Sequence, residues 1–151
     1  MKKKTVMVFG VFDGIHEGHR FFLREARGRG DYLIAVASKD NNVKELKKHL
    51  PRFPLSKRIS HLMEETLADE VVAGDDNINS WNVLKRHRPD IICLGYDQTA
   101  LATALAKHIK KENLPIALAT ITPYQPGQFH SSRTYAIRTL RSFPRMRESS
   151  L

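Results

Sequence analysis

The 151-residue chain has a single cysteine, Cys93, which excludes an intramolecular disulfide framework and fits a reducing compartment, the cytoplasm. No apolar run approaches the roughly 20 residues a membrane span needs, so no membrane partner is expected. Lys2-Lys3-Lys4 before a short apolar run looks superficially like a secretion leader, but Asp13 and His16 interrupt that run and no small-residue cleavage site follows. Internal repeats are missing, and so is any Cys/His cluster of zinc-binding spacing. Acidic residues are the minority, 16 against 25 Lys plus Arg, giving a net charge of +9. Such an excess can mark nucleic-acid binding. Here, however, the basic residues are scattered over 2–4, 44–48, 85–88, 107–111 and 133–147, and no aromatic-studded basic run accompanies them. A triphosphate-binding protein also needs positive charge, so a nucleic-acid partner is the less favoured reading. The length and a hydrophobic content of 41% suit one soluble globular domain. It is placed at residues 1–140, with 141–151, which lack period and contain Pro144, as a disordered tail.

What is present begins with Val6 to His19, VMVFGVFDGIHEGH. Val6-Met7-Val8-Phe9 is apolar without alternation, as a strand covered on both faces of a parallel sheet requires. Gly10 and Gly14 punctuate a turn and allow the backbone to approach a ligand closely. His16 and His19, at i and i+3, fall on one side of a helix start. There, unpaired N–H groups and the positive end of the helix dipole favour an anion. The stretch reads as a phosphate site with two imidazoles added. A pair of core histidines or half of a zinc site is the alternative, although a zinc site normally has three or four protein ligands.

Arg20 to Arg29 reads as the first helix, stopped by Gly28 and Gly30, and Asp31 to Ser38 as a second buried strand. Strand, helix and strand within about thirty residues make a βαβ unit, right-handed by the general rule, with its ligand site at the carboxyl ends of the strands. Lys39 to Pro54 has no clean period and carries Lys44, Lys47, Lys48, His49 and Arg52. It is read as a basic loop, either a solvated surface or a flap over a triphosphate. Helical spacing marks Leu55 to Leu67. A short strand follows over 67–75, then a helix from Ser80 to His87 with Ser80 as N-cap. Ile91 to Leu94 is again a buried strand, which makes Cys93 a core residue. Gly95 at its end permits close approach, and Asp97 suits a ribose, as carboxylates do in α/β nucleotide folds. Leu101, Leu105 and Ile109 define a helix ending near Asn113, Leu114 to Ile121 a fifth strand, and a last helix starts near Phe129. The fold class is α/β: a Rossmann-like, doubly wound, parallel five-stranded sheet with helices on both faces.

Gly10-Val11-Phe12-Asp13-Gly14-Ile15-His16-Glu17-Gly18-His19 resembles the G-x-F-D-x-x-H-x-G-H signature of the cytidylyltransferase-like nucleotidyltransferases. The resemblance implies transfer of a nucleoside monophosphate from a nucleoside triphosphate to a phosphorylated acceptor, with release of pyrophosphate. It implies that Gly10, Val11, Phe12 and Gly14 bind the nucleotide and that His16 and His19 hydrogen-bond the α-phosphate. Lys47 and Arg58, the latter in a Pro54-x-x-x-Arg58 helix start, would hold the leaving pyrophosphate, with Lys44 close behind. Asp13 is read as a structural turn residue, and no protein metal ligands are assigned; Mg²⁺ would accompany the triphosphate. Phe129-His130-Ser131-Ser132 resembles the family's last helix start, where Ser131 and Ser132 would touch the triphosphate unless they are simply N-caps. Arg133 or Arg138 would add charge there. A homodimer is common in the family.

Pro89-Asp90-Ile91-Ile92-Cys93-Leu94-Gly95-Tyr96-Asp97-Gln98 resembles the P-D-I-I-x-L-G-x-D-Q of archaeal-type FAD synthases. Gly95, Asp97 and Gln98 thus join the expected nucleotide-binding set, and transfer of AMP from ATP to FMN, giving FAD, is the leading expectation. A CTP-using enzyme acting on a small phospho-alcohol such as glycerol 3-phosphate is the alternative. Thr66, where some cytidylyltransferases carry arginine, points away from it. A nucleotide-binding protein without turnover is the third reading, raised by Tyr135-Ala136 where the family usually has Ile-Arg or Ile-Lys.

Overall fold

In the computed structural model, residues 3–77 and 80–123 are described. The expected apolar run forms strand β1 (Thr5–Gly10), and Val6, Met7 and Val8 are fully buried. Their side chains alternate between faces, so burial of all three requires cover on both. The chain then runs through helix α1 (Glu17–Arg27), β2 (Tyr32–Ala37), α2 (Asp40–Lys47), α3 (Leu55–Glu65) and β3 (Glu70–Ala73). It continues through α4 (Asn82–His87), β4 (Ile91–Gly95), α5 (Thr99–Glu112) and β5 (Ala117–Ile121).

The five strands form one sheet in the order β3-β2-β1-β4-β5, and every neighbouring pair is parallel. On one face Val6 and Val8 pack with Leu23 and Ala26 of α1 and Leu62 of α3. On the other, Met7 packs with Val83 and Leu84 of α4 and Leu105 of α5. The doubly wound fold expected from the apolar strands is thus the one formed, and Cys93 lies in its core with its thiol pushed up to about 12 by burial.

Carboxylates pin the amino ends of the strands. Asp90 accepts the Thr5 N–H (2.8 Å) and Asp69 the Leu33 N–H (2.8 Å). The hydrogen bond from Arg27, ahead of the opposing effect of burial, holds the Asp69 carboxyl below its ordinary value. From β1 the chain winds outward through β2 to β3, then returns to place β4 on the other side of β1. The crevice at the carboxyl ends of β1 and β4 is the switch point at which such sheets bind ligands.

Three local expectations are corrected. Asp40–Lys47, read as loop, is helical; only Asn42 and Val43 of it are buried, so its sequence shows no apolar stripe. Helix α1 begins at Glu17 rather than Arg20. Ser80 does not cap α4: Trp81 occupies the N-cap position with no side-chain cap bond, and the Ser80 hydroxyl donates to the Asn77 carbonyl instead (3.0 Å).

Candidate active site

His16 and His19 occupy the N-cap and N3 positions of α1 and form a reciprocal capping box. The Gly18 N–H donates to His16 Nδ1 (3.0 Å) and the His16 N–H donates to His19 Nδ1 (3.2 Å). A nitrogen that accepts must carry a lone pair, so the neutral rings bear their protons on Nε2. The two rings lie 3.9 Å apart, tilted by 31°. Both therefore offer an Nε2–H donor from the start of a helix whose dipole already favours negative charge. Burial first, then the neighbouring His16 and Arg20, push the His19 pKa down to about 4.

A histidine whose folded pKa lies below its unfolded value of about 6.5 favours folding while neutral. That contribution is present above pH 6.5 and is lost as the pH falls through the window down to about 4. In a ¹⁵N NMR titration, His19 is therefore expected to remain the Nε2–H tautomer at pH 5.5; an imidazolium signal there would contradict the geometry.

Two glycines are constrained. Gly14 has φ +92°, a backbone conformation that an L side chain rarely adopts. At Gly18 a Cβ would stand 2.9 Å from His16 Cε1. Gly18→Ala should therefore displace the His16 ring and lower turnover about tenfold or more, while α1 stays folded by circular dichroism.

Asp13 is structural, in line with its reading as a turn residue. Its carboxylate accepts the backbone N–H groups of Arg52 (2.7 Å) and Phe53 (2.9 Å), tying the signature loop to the segment before α3. Burial would raise its pKa, but those two bonds and the charges of Arg52 and Arg58 bring it below the ordinary value.

Arg58 is not where a direct phosphate contact would need it. It is fully buried, donating through Nε to the Phe53 carbonyl (2.9 Å), through Nη1 to the Val11 carbonyl (2.9 Å) and through Nη2 to Asp40. Its donors face two backbone carbonyls and the Asp40 carboxylate, and it is not among the residues that line the crevice.

The crevice has a volume of about 1540 Å³, larger than the roughly 300–1,000 Å³ of a typical small-molecule pocket. Gly10, Val11, Phe12, His16, His19, Lys47, Gly95, Asp97 and Gln98 line it. Lys44, Gly14 and Arg58 do not. On the β4 side, Asp97 is exposed and makes no hydrogen bond among the described residues. Gln98 is a strut: its Oε1 accepts the Gly95 N–H (2.7 Å) and its Nε2 donates to the Phe9 carbonyl (2.9 Å), joining the ends of β4 and β1. Each polar atom makes one of these bonds and keeps a second hydrogen-bonding position, and the side chain lines the crevice. Ser131 and Ser132, with the rest of 124–151, lie outside the described residues.

The sequence reading did not single out Ser38, Asn42, Asp75, His49 or Trp81 as crevice residues. Ser38 and Asp75 were legible in principle, because they lie one and two residues beyond β2 and β3, at the carboxyl ends of the sheet. His49 and Asn42 lie in the 39–54 segment that was open to reading as a flap over a triphosphate; nothing in the local sequence marks Trp81.

Neutral imidazole donors on a helix N-terminus, at the switch point of a parallel sheet, define a nucleotide-handling α/β protein. The Cytidylyltransferase-like family matches residues 7–138. The chain belongs to that family, and it is a nucleotidyltransferase. It is 38% identical over 123 residues to an FAD synthase of Thermococcus sibiricus, covering 82% of each chain. Against an FAD synthase of Aciduliprofundum boonei it is 35% identical over 130 residues, covering 85% of each. Among solved structures, the lipopolysaccharide core biosynthesis protein of Thermoplasma volcanium superimposes with a TM-score of 0.76 at 29% identity, covering 82% of this chain and 100% of that one. Among the described residues no helix is long and apolar enough to cross a membrane.

Proposed function

We propose that the protein transfers AMP from ATP to FMN, forming FAD and pyrophosphate, in the cytoplasm. The observation that carries this reading is the similarity to FAD synthases along more than four fifths of the chain, beside a family match over residues 7–138 that spans both the His16–His19 signature and the Gly95–Gln98 string. The FMN phosphate is anionic at neutral pH, so no general base is needed. One of its oxygens attacks the α-phosphorus in line, a new P–O bond forms, and the bond to the β-phosphate oxygen breaks, releasing pyrophosphate.

Such transfers ask the protein for position and charge stabilisation. The Nε2–H groups of His16 and His19 donate to the α-phosphate oxygens, where negative charge grows. Because His19 stays neutral, it acts as a donor rather than as an acid. Lys47, on the crevice wall, takes the departing pyrophosphate as a mobile point charge. Asp97 accepts from the ribose, and Ser131 and Ser132 complete the triphosphate site. Mg²⁺ enters with the triphosphate as part of the substrate. Association as a homodimer is read by sedimentation.

The test is pyrophosphate release with Mg²⁺, crossing ATP and CTP against FMN and glycerol 3-phosphate. Turnover with ATP plus FMN alone is expected. Turnover only with CTP and glycerol 3-phosphate would replace this reading with the cytidylyltransferase one.

A further inference from the structure

The ladder between β1 and β4 stops early. It pairs Val6 with Ile91, Met7 with Ile92 and Val8 with Cys93. Yet β1 runs on beside β2 to Gly10, and β4 runs on beside β5 to Gly95. Each of these two strands keeps its outer neighbour to the end, and they part only from one another. In an evenly spaced parallel ladder, the next bond of their series would join the Gly95 N–H to the Phe9 carbonyl. A side chain stands between those two groups instead. Gln98 Oε1 accepts the Gly95 N–H (2.7 Å), and Gln98 Nε2 donates to the Phe9 carbonyl (2.9 Å).

A carboxamide carries the donor and the acceptor of a peptide group. It therefore satisfies both strand ends as a neighbouring strand would, while holding them one carboxamide apart. The Gln98 backbone is itself fixed: its N–H donates to the Gly95 carbonyl (3.1 Å), and its carbonyl accepts the Ala102 N–H (2.9 Å). Gln98 is the N-cap residue of α5, but its side chain makes no cap bond and reaches across the strands. The ends it separates lead to different walls of the crevice. Beyond β1 come Val11, Phe12 and the histidine pair; at the end of β4 come Gly95 and Asp97.

We propose that Gln98 is a positioning residue, a wedge in the β1–β4 ladder that sets the spacing between the signature turn and Gly95–Asp97. Its link to catalysis rests on the reading above, in which the α-phosphate lies by the histidines and the ribose by Asp97. The width of the wedge then fixes how a bound triphosphate is aligned for attack. Without the carboxamide, the Gly95 N–H and the Phe9 carbonyl pair directly, the ladder closes by one rung, and the two walls approach.

Through-hydrogen-bond ¹⁵N–¹³C coupling in the nucleotide-free protein reads the wedge directly. The Gly95 amide should couple to the side-chain carbonyl carbon of Gln98 in the wild type, and to the Phe9 carbonyl carbon in Gln98→Ala. In that variant, assayed well below its measured melting temperature, kcat/KM for ATP should fall about tenfold to a hundredfold, with a raised KM for ATP. A residue that only stabilised the fold would lower the fraction of active protein and leave that KM unchanged. Gln98→Glu gives a second readout. Its ionised carboxylate accepts from Gly95 but cannot donate to Phe9, whereas the protonated acid does both. An ionised oxygen facing the Phe9 carbonyl, with the Asp97 carboxylate also beside Gly95, is disfavoured, so protonation sets in above the ordinary Glu value of about 4.3. Activity as a ratio to wild type should therefore be low at pH 8 and climb toward pH 5, while the Gln98→Ala ratio stays flat.

A wild-type Gly95 amide coupled to the Phe9 carbonyl carbon overturns the wedge. An unchanged KM for ATP in Gln98→Ala, or a flat Gln98→Glu ratio from pH 8 to 5, overturns the positioning role. A wild-type protein that releases no pyrophosphate from ATP with FMN overturns the reaction and the alignment role with it, and the coupling still decides whether the wedge exists.

Discussion

Replacing His16 with asparagine should lower the rate of pyrophosphate release about 10²–10³-fold while leaving the melting temperature within about 2 °C of wild type. The two halves of that expectation come from different nitrogens of one ring. Nδ1 caps α1 by accepting the Gly18 N–H, and asparagine is among the best residues at that task. Nε2 is not used by that cap, and in the proposed reaction its N–H is the donor to the α-phosphate in the crevice that His16 lines; asparagine's short amide cannot replace it. Removing one such donor from a transition state typically lowers the rate by about 10²–10³. His16→Ala loses both functions, so it should show the same fall in rate together with about 1 kcal/mol of destabilisation, the usual result of losing a cap. Saturating-substrate turnover and thermal unfolding on the two variants separate the roles. Should His16→Asn turn over normally while His16→Ala does not, the ring would be a cap alone and the charge-stabilising mechanism would fall.

The same residue shows how far the sequence could be read. That His16 and His19 share a helix start follows from their spacing, and the family signature assigns them to phosphate. That each ring's Nδ1 is engaged by backbone does not follow, because it depends on α1 beginning three residues earlier than its apolar pattern suggests. Strands were legible because a sheet covered on both faces demands continuous apolar runs, which Val6–Phe9 and Ile91–Leu94 supply. Helix α2 was not, since it buries little apolar surface and is held instead by contacts such as Asn42 to the Asp75 carbonyl. Gln98 was noticed for its place in a motif, but its work is to join β1 and β4 across 89 residues of sequence, which no local pattern encodes. Trp81 fell inside the helix read from Ser80 to His87, but it stands before α4 as its N-cap with left-handed backbone, a conformation that its local pattern does not encode.

Arg58→Ala should destabilise the protein by roughly 3 kcal/mol, lowering the melting temperature by about 10 °C for a domain of this size. A basic residue in the first turn of a helix ordinarily reads as solvent-facing, and the family resemblance turned that reading toward phosphate. In the fold the guanidinium is fully buried and joins three separate segments: Val11 in the signature loop, Phe53 before α3, and Asp40 at the start of α2. Truncation strands two carbonyls and a carboxylate and leaves a cavity. The carboxylate is 39% exposed, so water partly compensates it, which places the loss near the lower end of the roughly 3–5 kcal/mol expected for a broken buried pair. Arg58→Lys keeps the charge but lacks the planar fork that reaches three acceptors at once, and it should recover less than half of that stability. A surface phosphate ligand would behave in the opposite way: the melting temperature of the free protein would hold while the KM for ATP rose. Thermal unfolding without nucleotide therefore distinguishes the two roles before any assay of transfer is run. An unchanged melting temperature in Arg58→Ala would return this arginine to the phosphate site; a large drop would identify it as the residue that holds the signature loop in place beneath the histidines.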